Sequence, residues 1–518
     1  MGTPSGEAPA GETPAGETAA RRRHRRAAPV RSVVSPALQP RVPAEVRSQV
    51  VPVLADDRSP VLVELDLTAD VSTEDTRRRF RELHDRTLGQ APPPRPIADC
   101  FVSCVLSPSE IQELVTADRS GAGTRTVFRV WPDYTLYPHL DHSVSTIKSD
   151  AALRSFAANG EGVTWAVVDS GIDQQHPHFA EGTLTGPVAA LHQDFTGLLD
   201  AVPAAAKPDA PLADPVGHGT HVAGIIAGAV PSGVVPAIGS QLPSPDGLPG
   251  AWVPRQLEGG RTLAGIAPRA KLVSLKVLAP NDRDDLVTSS SAVIAALYHI
   301  RETVNSGGRA MVIHGANLSL GCPWDPTDYA AGQSPLCREV DLLVASGVVV
   351  VISAGNSGYA GSRSHSTDAR GVLSSITDPG NAQEAITVGS THRDSPHRYG
   401  VSFDSSKGPT LDGRLKPDLL APGERITSCA TGYLRDQLIA VPGAAGTGAP
   451  SYIEDSGTSM AAAHVSGAIA AFLSVRREFI GAPRQVKELF TANATSLGRD
   501  RFMEGHGLVD LMRVLSTA

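Results

Sequence analysis

Short apolar runs alternate with helix-like segments from about residue 141 onward, and this alternation limits the possible folds more than any other feature. The runs are rich in valine, isoleucine and leucine and lack a regular polar position, as in VTWAVVD, KLVSLKVL and GVVVVISAGN. Strands of this kind are buried on both faces, which is typical of a parallel sheet covered by helices on each side. We therefore predict a doubly wound α/β domain over residues 141–518.

A smaller pattern precedes this domain. Residues 58–140 contain strand, helix, strand, helix and strand segments in turn, which predicts a small α+β domain. Residues 1–45 repeat Gly-Glu-Thr-Pro-like units and contain an arginine cluster, a composition that buries too little apolar surface to fold and predicts a disordered tail. Within the large domain, residues 229–263 are rich in proline and glycine and are predicted to be an inserted surface loop.

Charge and composition exclude several classes of partner. The chain has 518 residues and a formal net charge of −8, so its overall field gives no broad attraction for nucleic acid or an anionic membrane surface. We see neither a secretory signal nor a long uninterrupted apolar run, which favours a soluble cytoplasmic protein without a membrane partner. The five cysteines also fit a reducing compartment, although Cys322 and Cys337 bracket a loop and could pair in an exported protein.

Four segments carry the groups that peptide-bond hydrolysis needs. They are VVDSGID with Asp169, GHGTHVAG with His218, SAGNSG with Asn356 and SGTSMAAAHVSG with Ser459. The reaction requires a nucleophile, a base, a group that orients the base and donors for the developing oxyanion. Ser459 opens an apolar small-residue run that predicts a buried helix, and the positive end of such a helix favours an oxyanion.

The same segments, in the chain order Asp, His, Ser, resemble those of the subtilisin-like serine peptidases, and the likeness extends from about residue 144 to the end. The resemblance implies that Asp169, His218 and Ser459 form a catalytic triad, with Asn356 as oxyanion donor and His221 as a structural residue. It also implies that an extended substrate pairs by backbone hydrogen bonds with an edge strand and lies between two walls. These walls are Ser319, Leu320 and Gly321 on one side and Ser353, Ala354 and Gly355 on the other. Side-chain selection is expected from an adjoining pocket at Thr377 or Asp378.

The position of the small domain adds a further expectation. The family commonly carries an inhibitory propeptide there, so the 58–140 domain is expected to inhibit the site, with self-cleavage between about residues 136 and 146. No cofactor is required for the chemistry, and calcium, which often stabilises the family, has no loop here that matches residue by residue.

The predicted function is that of a serine endopeptidase acting on proteins or peptides through an acyl-enzyme. Two alternatives remain open. An acyl transferase, such as a peptide ligase or cyclase, would use the same triad with the 229–263 insertion as a lid. A non-catalytic peptide-binding pseudoprotease would use the edge strand alone.

Overall fold

The computed structural model describes residues 33–518 except 36–37, 43, 48–52, 55, 68–71, 121–124, 134, 139–144, 200–210, 232–233, 244–248, 256–262, 281–285, 307–310, 361–369 and 439–450. The chain forms an N-terminal unit up to residue 132 and a large unit from residue 145, with one short strand described between them.

The N-terminal unit and the connecting strand contain these elements in chain order: α1 Ala44–Arg47, β1 Ser59–Leu65, α2 Thr73–Thr87, β2 Arg95–Ala98, β3 Phe101–Leu106, α3 Pro108–Ser120, β4 Val127–Pro132 and β5 Thr135–Pro138.

The strands of the large unit are β6 Thr164–Asp169, β7 Gln193–Asp194, β8 Ala237–Pro243, β9 Pro249–Arg255, β10 Lys271–Lys276, β11 Ala279–Pro280, β12 Leu286–Ser289, β13 Gly315–Leu318, β14 Leu320–Gly321, β15 Val349–Ser353, β16 Tyr359–Ala360, β17 Arg370–Gly371, β18 Ile386–His392, β19 Leu419–Glu424, β20 Ile426–Cys429 and β21 Ser451–Asp455. Its helices are α4 Ser149–Phe156, α5 His218–Ile226, α6 Ser290–Tyr298, α7 Pro335–Ala345, α8 Pro396–Tyr399, α9 Gly432–Asp436, α10 Thr458–Val475, α11 Pro483–Ala492, α12 Arg501–Glu504 and α13 Leu511–Thr517.

A parallel sheet of seven strands forms the centre of the large unit, in the order β19-β18-β15-β13-β6-β10-β7. Strand β15 shows why the sheet is covered on both faces. Val349 and Val351 belong to the core that includes α5 and α10, while Val350 and Ile352 belong to the core that includes α6 and α7. Successive side chains of a strand point to opposite faces, so a continuous apolar run needs a helical layer on each side. The predicted doubly wound α/β fold is confirmed.

Helix α10 is the central helix of one of these layers. It has 18 residues, most of them alanine or larger apolar residues, and nearly all of its side chains are buried. Its length and hydropathy match those of a membrane-spanning helix, but 89% of the matching window is buried inside the protein. Since a helix that is apolar all round must be surrounded by other apolar groups, the central sheet, α5 and α13 pack around it.

The N-terminal unit is an antiparallel sheet in the order β2-β3-β1-β4 with α2 and α3 packed on it. Part of the segment that composition assigned to a disordered tail also packs here. Val34 forms a bridge with Val130, and the side chain of Leu38 is fully buried in the same core. Val34 and Leu38 lie after the repetitive, arginine-rich stretch, and both bury their side chains in the apolar core of the N-terminal unit.

The 229–263 insertion, predicted as a surface loop, contains a β-hairpin. Strands β8 and β9 pair antiparallel, and β8 also pairs in parallel with β21, which extends the sheet β20-β21-β8-β9. Turn-rich composition did not indicate this hairpin because its pairing partner, β21, lies far along the chain. All five cysteines are unpaired, including Cys322 and Cys337, and both of these are buried.

Buried polar contacts join the two units. The carboxylate of Glu64 accepts a hydrogen bond from Trp131 Nε1 at 2.9 Å and forms an ion pair of 2.6 Å with Arg338 of the large unit. Arg129 forms a buried ion pair with Asp328 and donates to its backbone carbonyl at 2.6 Å. Because removal of one partner from such a contact leaves a buried charge uncompensated, these contacts fix how the units dock.

Asp133, just after β4, is buried against the first turn of α6. It accepts a hydrogen bond from the Ser291 amide at 2.9 Å and another from the Ser291 hydroxyl. Burial raises the pKa of Asp133 from its usual value of 3.8 to about 6, although the hydrogen bonds from Ser291 favour the ionised form. The docked state therefore binds a proton more tightly than a separated state in which Asp133 meets water.

This difference predicts that docking is favoured at low pH and weakens as pH rises from about 4 to about 6, by at most about tenfold per pH unit. We expect hydrogen exchange at the Ser291 amide of the full-length chain to become faster as pH rises over this range, after correction for the intrinsic effect of pH on exchange. Asp133→Asn does not titrate and should remove it. An identical pH dependence in both proteins would contradict the assignment.

Candidate active site

The carboxyl ends of three neighbouring strands gather the predicted site residues at one edge of the central sheet. In the order β15-β13-β6, Leu318 of β13 pairs with Ile352 on one side and Val168 on the other. The residues that follow these positions are Ser319, Ser353 and Asp169, and Asn356 lies shortly beyond Ser353. Parallel pairing thus brings together segments that are far apart in sequence, as the sequence predicted for a doubly wound sheet.

Among the contacts described between predicted site residues, the one between Asp169 and His218 is the shortest. Asp169 Oδ1 lies 2.6 Å from His218 Nδ1 and also accepts a hydrogen bond from the Ser170 amide at 2.7 Å. The two side chains are almost fully buried, with about 1% of each residue exposed. A carboxylate at Nδ1 favours the tautomer with its proton there, which leaves the lone pair on Nε2.

Asp214, which the sequence analysis did not single out, fixes the start of the helix that carries His218. Its carboxylate accepts hydrogen bonds from the amides of Gly217 and Thr220, each at 2.8 Å, and from the hydroxyl of Ser170 at 2.9 Å. Burial raises the pKa of Asp214, and the hydrogen bonds from Gly217 and Thr220 oppose this rise. An acidic residue shortly before the start of a predicted helix is a signal that was available in the sequence, because a carboxylate can accept from the free amides of the first turn.

Gly219 allows α5 to approach the end of β6. A methyl group at this position would lie 2.2 Å from the carbonyl oxygen of Gly171 and 3.1 Å from Cβ of Asp169. The first distance is far below any normal contact, and the second is tighter than most contacts of a Cβ atom. Only a residue without a side chain therefore lets His218 reach Asp169 from the first turn of α5.

Ser459 lies in the first turn of α10. Its Oγ donates to the backbone carbonyl of Ser319 at 3.2 Å, and the residue is fully buried. The neighbouring Thr458 donates through its amide and its hydroxyl to Asn356 Oδ1, at 3.0 and 3.1 Å. Because the amide oxygen of Asn356 is held by Thr458, its NH₂ group is directed away from that residue and is available as a donor.

A series of buried hydrogen bonds runs from Ser466 to the backbone carbonyl of Ser459. Ser466 Oγ donates to Asn317 Oδ1 at 2.9 Å, and Asn317 Nδ2 donates to Ser319 Oγ at 2.9 Å. The hydroxyl of Ser319 in turn donates to the carbonyl of Ser459 at 3.0 Å. Ser466 is two turns after Ser459 on the same face of α10, so helical periodicity could have indicated its role.

The two predicted walls of a substrate cleft also lie at this edge. Leu320 and Gly321 form β14, while Ala354 and Gly355 follow β15. Gly355 has a positive φ of 104°, and an added Cβ would lie 2.6 Å from Thr377 Oγ1. Thr377 therefore lies directly beneath the Gly355 wall, whereas Asp378 is buried and donates its amide to the carbonyl of Cys322 at 2.9 Å.

The chain's own strand β5 occupies the edge next to β14. In antiparallel register, Pro138 is opposite Leu320 and Tyr137 is opposite Gly321. On its other side β5 pairs with β12, so that it lies between two strands of the large unit. The backbone pairing expected for a substrate is thus made by the segment that links the two units.

His221 is one turn beyond His218 and is fully buried. Its Nε2 lies 3.3 Å from the backbone carbonyl of Ile453, and burial lowers its pKa to about 3. A neutral imidazole in contact with backbone fits the structural role expected for it. Across the described part of the chain, no group of three or more histidine, cysteine, aspartate or glutamate residues has a geometry suited to a metal ion.

Comparison with known proteins agrees with this geometry. The model described as "Subtilase family" matches residues 160–507. The chain belongs to the subtilase family. Subtilisin E of Bacillus subtilis is 28% identical over 370 residues, which cover 71% of this chain and 70% of that protein. Serine protease AprX of Bacillus subtilis is 30% identical over 347 residues, or 66% of this chain and 63% of that protein.

Pyrolysin of Pyrococcus furiosus is 28% identical over 408 residues, which cover 69% of this chain but only 26% of that protein. The match therefore spans about a quarter of the length of pyrolysin. The family places this subtilase in the class of serine peptidases.

The close approach at Gly219 gives a testable consequence for this subtilase. We expect Gly219→Ala to slow the reaction of Ser459 with a fluorophosphonate by at least about a hundredfold, because small displacements of catalytic groups have effects of that size. Overpacking should also lower the free energy of unfolding by about 1–3 kcal/mol. Labelling kinetics and thermal unfolding measure the two effects.

Gly197→Ala is a matched control, because an added Cβ there has no atom within 4 Å. It should react at the wild-type rate. Wild-type labelling by Gly219→Ala would contradict the requirement for glycine.

Proposed function

We propose that this subtilase is a serine endopeptidase made as a self-processing zymogen, with Asp169, His218 and Ser459 as its catalytic triad. The contact of 2.6 Å between Asp169 and His218 carries the proposal. It orients an imidazole whose helix, α5, packs against α10, the helix with Ser459 in its first turn. Names of the relatives, which include subtilisin and serine protease, support a protein or peptide as substrate.

In the proposed mechanism, His218 Nε2 takes the proton of Ser459 as the hydroxyl attacks the scissile carbonyl. Asp169 stabilises the imidazolium that forms. The NH₂ group of Asn356 and the backbone amide of Ser459, at the start of α10, donate to the oxyanion. His218 then gives its proton to the leaving amine. Water next attacks the acyl-enzyme while His218 takes a proton from it, and His218 returns that proton to Ser459.

The proposed self-cleavage site follows from the pairing of β5. Pro138, the last residue of β5, is opposite Leu320, which directly follows Ser319. The carbonyl of Ser319 accepts the hydrogen bond from Ser459 Oγ at 3.2 Å. Because β5 ends this close to the proposed nucleophile, we propose self-cleavage just after β5, within the interval of about residues 136–146 expected from the sequence.

Until that bond is cut and the segment leaves, β5 excludes other peptides from β14. The N-terminal unit is therefore proposed as an inhibitor of its own large unit. The buried contacts of Glu64, Arg129 and Asp133 with the large unit support this role, because they hold β5 at the edge of the cleft.

Intact-mass measurement of the full-length protein over time, with a fluorophosphonate present, tests the proposal. We expect the wild type to take one label and to give a product cut between about residues 136 and 146. Ser459→Ala should stay unlabelled and uncut, while Ser516→Ala, which changes an exposed serine of α13, should behave as wild type.

Each other outcome has a definite meaning. Cleavage outside that interval would contradict the proposed processing site but not the peptidase. A wild type that is neither labelled nor cut, even after the N-terminal unit is removed by an added protease, would contradict the proposed function. A product joined to an added amine would favour acyl transfer over hydrolysis.

A further inference from the structure

The segment that carries Asn356 is held by residues 404–407, a segment that the proposed mechanism does not use. Ser406 makes two of the contacts between them. Its amide donates to the carbonyl of Gly355 at 2.8 Å, and its hydroxyl accepts from the amide of Ser357 at 3.0 Å. The residues on both sides of Asn356 are therefore bound by one residue of the second segment.

Lys407 joins the same two segments through its side chain. Its ammonium group donates to the carbonyl of Gly358 at 3.1 Å and to the carbonyls of Phe403 and Ser405 at 2.9 and 2.8 Å. The residue is only 6% exposed. Because an ammonium group has three N–H donors and a buried charge needs partners, these three carbonyls satisfy the group and fix its position.

Gly358 is the point at which the two segments approach most closely. A Cβ atom added there would overlap the carbonyl oxygen of Ser405 and Nζ of Lys407. The amide of Gly358 also donates to the carbonyl of Asp404 at 2.9 Å. Only a residue without a side chain lets the ammonium group reach the backbone two residues after Asn356.

Helix α10 fixes the other end of this segment. Thr458 donates to Asn356 Oδ1 at 3.0 and 3.1 Å, and its hydroxyl accepts from the amide of Gly355 at 3.1 Å. An oxyanion donor is effective only when it is held in place before the reaction. The backbone on the Gly358 side of Asn356 must therefore be fixed as well, and Lys407 is the buried cation that fixes it.

We propose that Lys407 is a positioning residue for the oxyanion donor, because its ammonium group holds the backbone after Asn356 and so directs the NH₂ group of Asn356 to the oxyanion. The inference rests on the proposed peptidase function and adds a residue that acts through Asn356 rather than on the reacting atoms. Since the oxyanion forms only during the reaction, the loss of Lys407 should affect the chemical step more than substrate binding.

A double-mutant cycle on self-cleavage tests the proposal, because self-cleavage of the full-length chain is a first-order reaction that needs no added substrate. Lys407→Met keeps an unbranched apolar side chain and removes the three donors. We expect it to slow self-cleavage, followed by intact mass, by about tenfold, which is less than the loss of an oxyanion donor itself. In the Asn356→Ala protein, which already lacks that donor, the same substitution should slow self-cleavage by less than about twofold.

A chromogenic peptide anilide that the processed wild type cleaves separates rate from binding. With active sites counted by a fluorophosphonate, Lys407→Met should lower kcat by about tenfold and change KM by less than about twofold. Lys271→Met is the matched control, because Lys271 Nζ also donates to a backbone carbonyl, that of Gly182, but from the first residue of β10, at the opposite end of the sheet from the active edge. It should keep the wild-type kcat and rate of self-cleavage.

The same loss from Lys407→Met with and without the Asn356 side chain would overturn the proposal, and so would a loss confined to KM. If Lys407→Met does not fold, Lys407→Gln, which keeps N–H donors on a shorter side chain, enters the same cycle and should show the same dependence on Asn356. A wild type that takes no fluorophosphonate and cleaves neither itself nor any peptide overturns the peptidase and this inference together.

Discussion

Burial of α10 on all sides is the constraint on which the rest of the structure depends. The helix is packed against the central sheet, α5 and α13, and its small side chains let these elements approach closely. Ser459 is in its first turn, so the packing that stabilises the core also fixes the proposed nucleophile and directs the positive end of the helix towards the proposed oxyanion position. The chain of Ser466, Asn317 and Ser319 then ties the same helix to β13.

The carboxylates at the active edge differ in how their environments satisfy them. Asp214 accepts amide and hydroxyl hydrogen bonds and holds α5, and Asp169 accepts from Ser170 and orients His218. Asp169 and Asp455 each have one oxygen for which the described residues supply no donor. Since burial disfavours charge unless partners are present, Asp214 is the best satisfied of the three carboxylates.

The contact between the two units involves residues close to the strand that occupies the cleft, and one of these residues makes docking depend on pH. Glu64 and Arg129 make ion pairs across the contact, and Asp133 covers the start of α6. All three belong to strands of the N-terminal sheet or follow one directly, and Asp133 lies two residues before β5. A short link thus joins the N-terminal sheet to the strand that pairs with β12 and β14 of the large unit.

The sequence by itself determined the parallel sheet, the order of its motifs, the apolar α10 and the identities of Asp169, His218, Asn356 and Ser459. These features are encoded locally, because side-chain periodicity reports which faces are buried and short motifs keep their chemistry within a few residues. Tertiary structure alone decided that Leu38 packs on the N-terminal sheet, that β8 pairs with β21 and that Pro138 lies opposite Leu320. Each of these is a contact between segments distant in the chain, and its existence depends on how elements pack and pair rather than on the composition of either segment.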